Sequence, residues 1–134
     1  MRSIDIEMPD QQAARLDRFA VSVHKSPREA TAQLIEEGLR HAEFPPVEFR
    51  DSDSGRQAYI VGSSLAVWEV VMINQSYGHN AEQTAAHLRW PLTRVEPVLA
   101  YARRYQQEIT AALQENRSVS PPDLTRSLPN SRWT

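Results

Sequence analysis

Ile4-Asp5-Ile6-Glu7-Met8-Pro9, close to the start of the chain, alternates apolar and acidic side chains and then meets a proline. Side chains alternate across a pleated backbone with period two, so a strand here would carry Ile4, Ile6 and Met8 on one face and Ser3, Asp5 and Glu7 on the other. Pro9 suits a first helical position, where a missing N–H costs nothing. Ala13, Leu16, Phe19, Ala20 and Val23 then recur at the spacing of one helical face, which predicts an amphipathic first helix. Ser26-Pro27-Arg28-Glu29 combines an N-cap hydroxyl, a proline at N1 and a glutamate at N3, a reciprocal capping box that starts a second helix at Ser26 or Pro27. Ala30, Leu34, Ile35 and Leu39 give that helix an apolar stripe to bury, and Pro45-Pro46 ends it near Ala42.

Strand, helix and helix in that order make residues 3 to 42 resemble the ribbon-helix-helix proteins. One strand and two short helices cannot pair the strand's backbone groups or bury both helical stripes by themselves. The resemblance implies that two strands pair antiparallel and four helices interlock, so Ile4, Ile6, Met8, Leu16, Phe19, Leu34 and Leu39 are the expected dimerisation residues of a homodimer. In such proteins the ribbon usually enters the DNA major groove with Arg, Lys, Gln or Asn outward. Here the outward positions hold Ser3, Asp5 and Glu7, and carboxylates facing a phosphate-lined groove oppose binding, so the ribbon reads as a dimer scaffold. Arg2, Ser3 and the helix start at Ser26 remain the candidate phosphate contacts of this module.

The 134 residues allow one domain or two small ones, and a formal net charge of -2 is no overall signature of nucleic-acid binding. The absence of cysteine excludes disulfides and thiolate metal sites. With neither a cationic signal region nor a long apolar run, the expectation is a cytoplasmic protein without a membrane span.

After Phe44-Pro45-Pro46, Val47 to Arg50 and Arg56 to Val61 flank the polar turn Asp51-Ser52-Asp53-Ser54-Gly55, which predicts a small hairpin. The turn is no calcium loop, because its glycine arrives one place early and Gly62 stands where the bidentate glutamate belongs. Gly62-Ser63-Ser64 breaks the chain, and the two serines are expected to cap a third helix from Leu65 to Ile73. Gly78 is placed for a left-handed helix end and Asn80 for the next N-cap. Ala81 to Leu88 forms a short helix, Arg89-Trp90-Pro91 a tight turn, and Leu92 starts a longer helix reaching about Asn116, a helix-turn-helix outline. Tyr101, Tyr105, Trp68 and Trp90 read as packing residues.

Gly55-Arg56-Gln57-Ala58-Tyr59-Ile60-Val61-Gly62-Ser63-Ser64-Leu65-Ala66-Val67-Trp68-Glu69 carries a more specific likeness. It resembles the uncharacterised domain family numbered 433: a glycine, a hydrophobic strand, a Gly-Thr-Arg-type turn, then Val-Trp. The likeness spans about residues 46 to 113, and Ser63-Ser64 departs from the family's Thr-Arg. Such domains are similar to antitoxins of VapB type, encoded beside toxins with a PIN-like nuclease fold. The resemblance therefore implies a type II antitoxin that neutralises a PIN-like ribonuclease toxin and, as a dimer, represses its own operon, with operator DNA as a further partner. The competing readings are a stand-alone dimeric transcriptional regulator and a purely structural adaptor.

Arg117 to Thr134 is rich in Ser, Pro and Asn and reads as a flexible tail. Leu124, Arg126, Leu128, Arg132 and Trp133 would suit docking on a toxin, with an arginine pairing against the carboxylates that hold a nuclease's metals. Arg89, Arg94, Arg103 and Arg104 form a candidate basic edge for DNA, diluted by Glu96, Glu108 and Glu115 on the same stretch. Enzyme chemistry finds no footing. His24, His41, His79 and His87 are scattered, Ser63 lacks the second glycine of a nucleophile elbow, and no glycine-rich phosphate loop is present. No cofactor, metal or small-molecule substrate is expected. The fold class expected is mainly α: a dimeric β-α-α module over 1–44, a hairpin and helix-turn-helix-like three-helix module over 45–116, and the tail over 117–134.

Overall fold

The computed structural model describes residues 1–116 of the chain. These residues are mainly helical, with one small antiparallel hairpin: α1 Asp10–Ser22, α2 Pro27–Glu43, β1 Val47–Ser52, β2 Gly55–Ile60, α3 Val67–Ser76, α4 Ala81–Leu88, α5 Leu92–Arg104 and α6 Gln106–Glu115. They form two compact units, Met1–Leu39 and a second that begins at Arg40, so the division falls inside α2.

In the first unit α1 starts one residue after Pro9, which serves as N-cap and accepts from Ala13 N–H at 3.0 Å. His24 takes a left-handed conformation, φ 57°, beyond the end of α1. Lys25 N–H then reaches Ala20 O at 2.9 Å and His24 N–H reaches Val21 O at 3.2 Å, the paired bonds that close a helix end through a left-handed residue. The capping box at the start of α2 forms as expected: Glu29 N–H donates to Ser26 Oγ at 3.1 Å and Ser26 N–H donates to Glu29 Oε1 at 3.2 Å.

Burial is where this unit departs from expectation. The strand expected over residues 3–8 is not formed in the single chain, because its backbone groups find no partner among the described residues, and Ile4 and Ile6 are 68% and 63% exposed. Of the apolar stripes only Ala20 and Ala30 are buried, while Leu34, Ile35 and Leu39 stand exposed. Two alanines do not make a core. What the helices leave between them is an apolar groove of about 500 Å³ lined by Ile6, Met8, Leu16, Phe19, Leu34 and Ile35.

The second unit has the core. β1 and β2 pair in the register Val47↔Ile60 to Ser52↔Gly55 around Asp53-Ser54, with Gly55 at φ 109°. One face of the hairpin turns Val47, Ala58 and Ile60 inward onto Leu65, Val67, Val70 and Ile73, and α4 and α5 add Leu88, Val95, Val98 and Tyr101. Asn80 caps α4 by accepting from Gln83 N–H at 2.9 Å, and Gly78 is left-handed, both as expected.

Two expectations for the second unit need correcting. Ser63 and Ser64 do not cap the third helix, which starts at Val67 with Ala66 before it. Ser63 Oγ instead accepts from Leu65 N–H at 3.0 Å inside the preceding turn, and Glu69 Oε1 accepts Ala66 N–H at 3.0 Å at the helix start. The long final helix is also divided. Tyr105, at φ -116° and ψ 46°, separates α5 from α6 and lets Ile109 return to the core.

Candidate functional site

Two surfaces hold the side chains that sequence reasoning selected. The first is the apolar groove of residues 1–39, which brings the expected dimerisation residues Ile6, Met8, Leu16, Phe19 and Leu34 to one place, while Ile4 and Leu39 are exposed in the same unit. Gln12, Arg15 and Thr31 complete its lining, so the groove is mostly apolar with three polar side chains. Burying such a lining gains about 25 cal/mol for each apolar Å² removed from water, and that gain stays unrealised while the groove faces solvent.

The second surface is the α4–turn–α5 edge. Asn74 Oδ1 accepts from buried Thr84 Oγ1 at 2.9 Å, which ties α4 to α3. Arg89 closes α4 in a left-handed conformation, φ 58°, and lies exposed, with Trp90 N–H bonded to Ala85 O at 3.0 Å. Trp90 packs into the helix junction, 6% exposed, although its indole N–H finds no acceptor among the described residues. Arg94 lies over that ring, its guanidinium carbon 4.0 Å from the centroid, and Nη2 donates to Val61 O at 2.7 Å. Burial pulls its guanidinium below the usual arginine value. Arg94 is therefore a structural clamp between α5 and the hairpin exit.

Arg103 and Arg104 are exposed near the end of α5, Arg104 with its guanidinium 5.1 Å from the Tyr105 ring. Among the described residues no hydrogen bond or ion pair engages the side chain of Arg89 or of Arg103. In the first unit Arg2 and Ser3 are exposed. The start of α2 is less open to an anion than expected: the Glu29 carboxylate already sits on the Ser26 N–H and is held below the usual carboxylate value by that bond, so a phosphate there would meet a negative charge. Leu124, Arg126, Leu128, Arg132 and Trp133 lie outside the described residues. No family model, curated protein or solved structure matches the chain.

Sequence reasoning missed the polar knot at the end of α2. Arg40 Nη1 donates to the Tyr101 hydroxyl at 2.9 Å and to Glu108 Oε1 at 3.0 Å, while the Tyr101 hydroxyl donates to Glu108 Oε2 at 3.1 Å. Burial first, then the Glu108 charge, pushes the Tyr101 phenol up. The Arg40 guanidinium also covers the Tyr105 ring at 3.8 Å, and Phe44 meets Tyr101 edge-on at 5.4 Å. Partners more than sixty residues apart leave no local periodicity to find. A second clamp is Arg50, which bonds Glu48 and donates to Ser63 O at 2.6 Å and Ile60 O at 3.1 Å. Tyr77 and His87 share a 2.8 Å hydrogen bond, and burial lowers the imidazole's proton affinity. Among the described residues no group of three or more His, Cys, Asp or Glu is placed to hold a metal ion, and no helix is long and apolar enough to cross a membrane.

Proposed function

We propose that this chain is the antitoxin of a type II toxin–antitoxin pair, a homodimer that binds and neutralises a PIN-like ribonuclease and represses its own operon. The single observation that carries the dimer is the open groove of residues 1–39, in which Ile6, Met8, Leu16, Phe19, Leu34 and Ile35 surround about 500 Å³ while only Ala20 and Ala30 of that unit are buried. A unit of this size with so little apolar burial has almost nothing to offset its chain entropy until a second copy closes the groove. The assignment to antitoxins rests on the likeness of Gly55 to Glu69 to the family numbered 433 and on the pairing of that family with nucleases. The hairpin, the turn at Gly62 and the Val67-Trp68 helix start are the elements that carry the likeness.

Affinity capture of the tagged full chain from its native lysate tests the reading. Co-purification of a stoichiometric small nuclease, whose RNA cleavage stops when the chain is added back, is the expected result. Recovery of the chain alone would remove the antitoxin role. It would leave the second reading, a stand-alone dimeric DNA-binding regulator, which the exposed, unengaged Arg89 at the α4–α5 turn favours.

A further inference from the structure

The DNA-contacting part of this protein is open to a more specific assignment, which rests on the repressor half of the proposed function. The outward side chains of the N-terminal run, Ser3, Asp5 and Glu7, are exposed, and among the described residues no cation pairs with Asp5 or Glu7. Antiparallel pairing of two such runs would set four carboxylates on one face, where a groove lined by phosphates repels them. That face is a poor reader of DNA.

Helix α5 offers the opposite arrangement. At 100° per residue, Thr93, Glu96, Pro97, Ala100, Arg103 and Arg104 fall on one side of the helix, and Val95, Val98, Leu99, Tyr101 and Ala102, all buried, fall on the other. Thr93, Glu96, Arg103 and Arg104 are exposed, Pro97 and Ala100 half-buried. In chain order Arg89 lies in the turn before α5 and Arg103 and Arg104 at its close, with the carboxylate of Glu96 between them. From Thr93 to Arg103 the helix rises about 15 Å, and the major groove is about 12 Å wide. With Arg103 and Arg104 toward one phosphate wall and Arg89, in the turn before the helix, toward the other, the middle of the helix lies over base edges. A carboxylate at the middle is suited to accept from the N4 amino group of cytosine, and the methyl and ring carbons of Thr93, Pro97 and Ala100 suit thymine methyls. The mixed charge of α5 thus becomes a pattern: positive where phosphates run and negative where a cytosine donor is exposed. Arg94 takes no part, being stacked on Trp90 and bonded to Val61 O.

We propose that the exposed face of α5 is the major-groove reader, with Arg89, Arg103 and Arg104 on phosphates and Glu96 on a cytosine, and that the N-terminal run only joins the two copies. The test uses the full chain and a pool of duplexes with a random core of about one to two helical turns, enriched by binding, followed by salt titration on the enriched duplex. Arg89→Ser and Arg103→Ser are each expected to weaken binding severalfold and to lower the slope of log K against log[salt] by about one, with the selected sequence kept. Glu96→Gln is expected to exchange a selected cytosine for adenine at one position. Asp5→Asn with Glu7→Gln is expected to leave the selected sequence unchanged. The proposal is overturned by enrichment of no duplex, by unchanged slopes in the two arginine variants, or by a selected sequence that follows Asp5 and Glu7 rather than Glu96. Nuclease inhibition by the same variants separates the two claims: intact inhibition without DNA binding defeats this assignment and leaves the antitoxin reading standing.

Discussion

Ser26 and Glu29 bind each other's backbone at the start of α2, and that pair was readable from four letters because a capping box is local chemistry. Ser26→Ala removes the acceptor of the Glu29 N–H and is expected to destabilise the folded protein by about 1 kcal/mol, measured by urea denaturation. The pH dependence has a defined sign. Glu29 is held below its ordinary value in the fold, so its contribution is present above the unfolded carboxylate value and lost as pH falls through the folded one. His87 is lowered by burial, so the fold favours neutral imidazole and loses stability as pH drops below the ordinary histidine value of 6.5. Both groups weaken the fold on the acid side, His87 at higher pH than Glu29. Urea midpoints are therefore expected to decline from about neutral downward, and His87→Gln is expected to flatten the upper part of that decline.

At the scale of elements, what the sequence announced depended on how far apart the deciding residues lie. The hairpin, the Asn80 cap and the left-handed Gly78 follow from turn and cap chemistry within a few residues, and all appear where the letters place them. The start of α3 was misread because Gly62-Ser63-Ser64 looks like a cap, yet Glu69, three residues after Ala66, marks the actual helix start. The division at Tyr105 was not readable at all. It is accompanied by the Arg40 guanidinium over the Tyr105 ring and by Phe44 at 6.3 Å from it, contacts that reach back to the end of α2. The candidate DNA side chains show the same limit: nothing local in the sequence announces that Arg94 stacks on Trp90 and bonds Val61 O. Glu108→Ala tests the long-range tie. It removes the carboxylate bonded to Arg40 and to the Tyr101 hydroxyl, and since Glu108 is half exposed the loss is about 0.5–1 kcal/mol. Amide exchange at Phe44 and Val47, whose N–H groups bond Arg40 O and Phe44 O, is expected to rise by up to about fivefold, with exchange in α4 unchanged.

For the whole molecule, the two units differ in what holds them. The second owns a continuous core from Val47 to Ile109, whereas the first keeps two alanines buried and leaves Leu34, Ile35 and Leu39 in water. That difference makes one substitution decisive. If Leu34 works as it stands in a single chain, 39% exposed, then Leu34→Ala removes little and falls within about 0.5 kcal/mol of neutral, the usual range for a surface change. If a second copy closes the groove, Leu34 becomes a core residue and the same change costs about 2–5 kcal/mol, the range for a buried leucine. We expect the larger loss, together with a melting temperature that rises with protein concentration, because mass action links folding of this unit to association. Val70→Ala is the control: it lies wholly inside the second unit, so its cost should be large and independent of concentration. A neutral Leu34→Ala with a concentration-independent melt would mean that residues 1–39 fold alone around their open groove, and the dimer, with everything built on it, would fall.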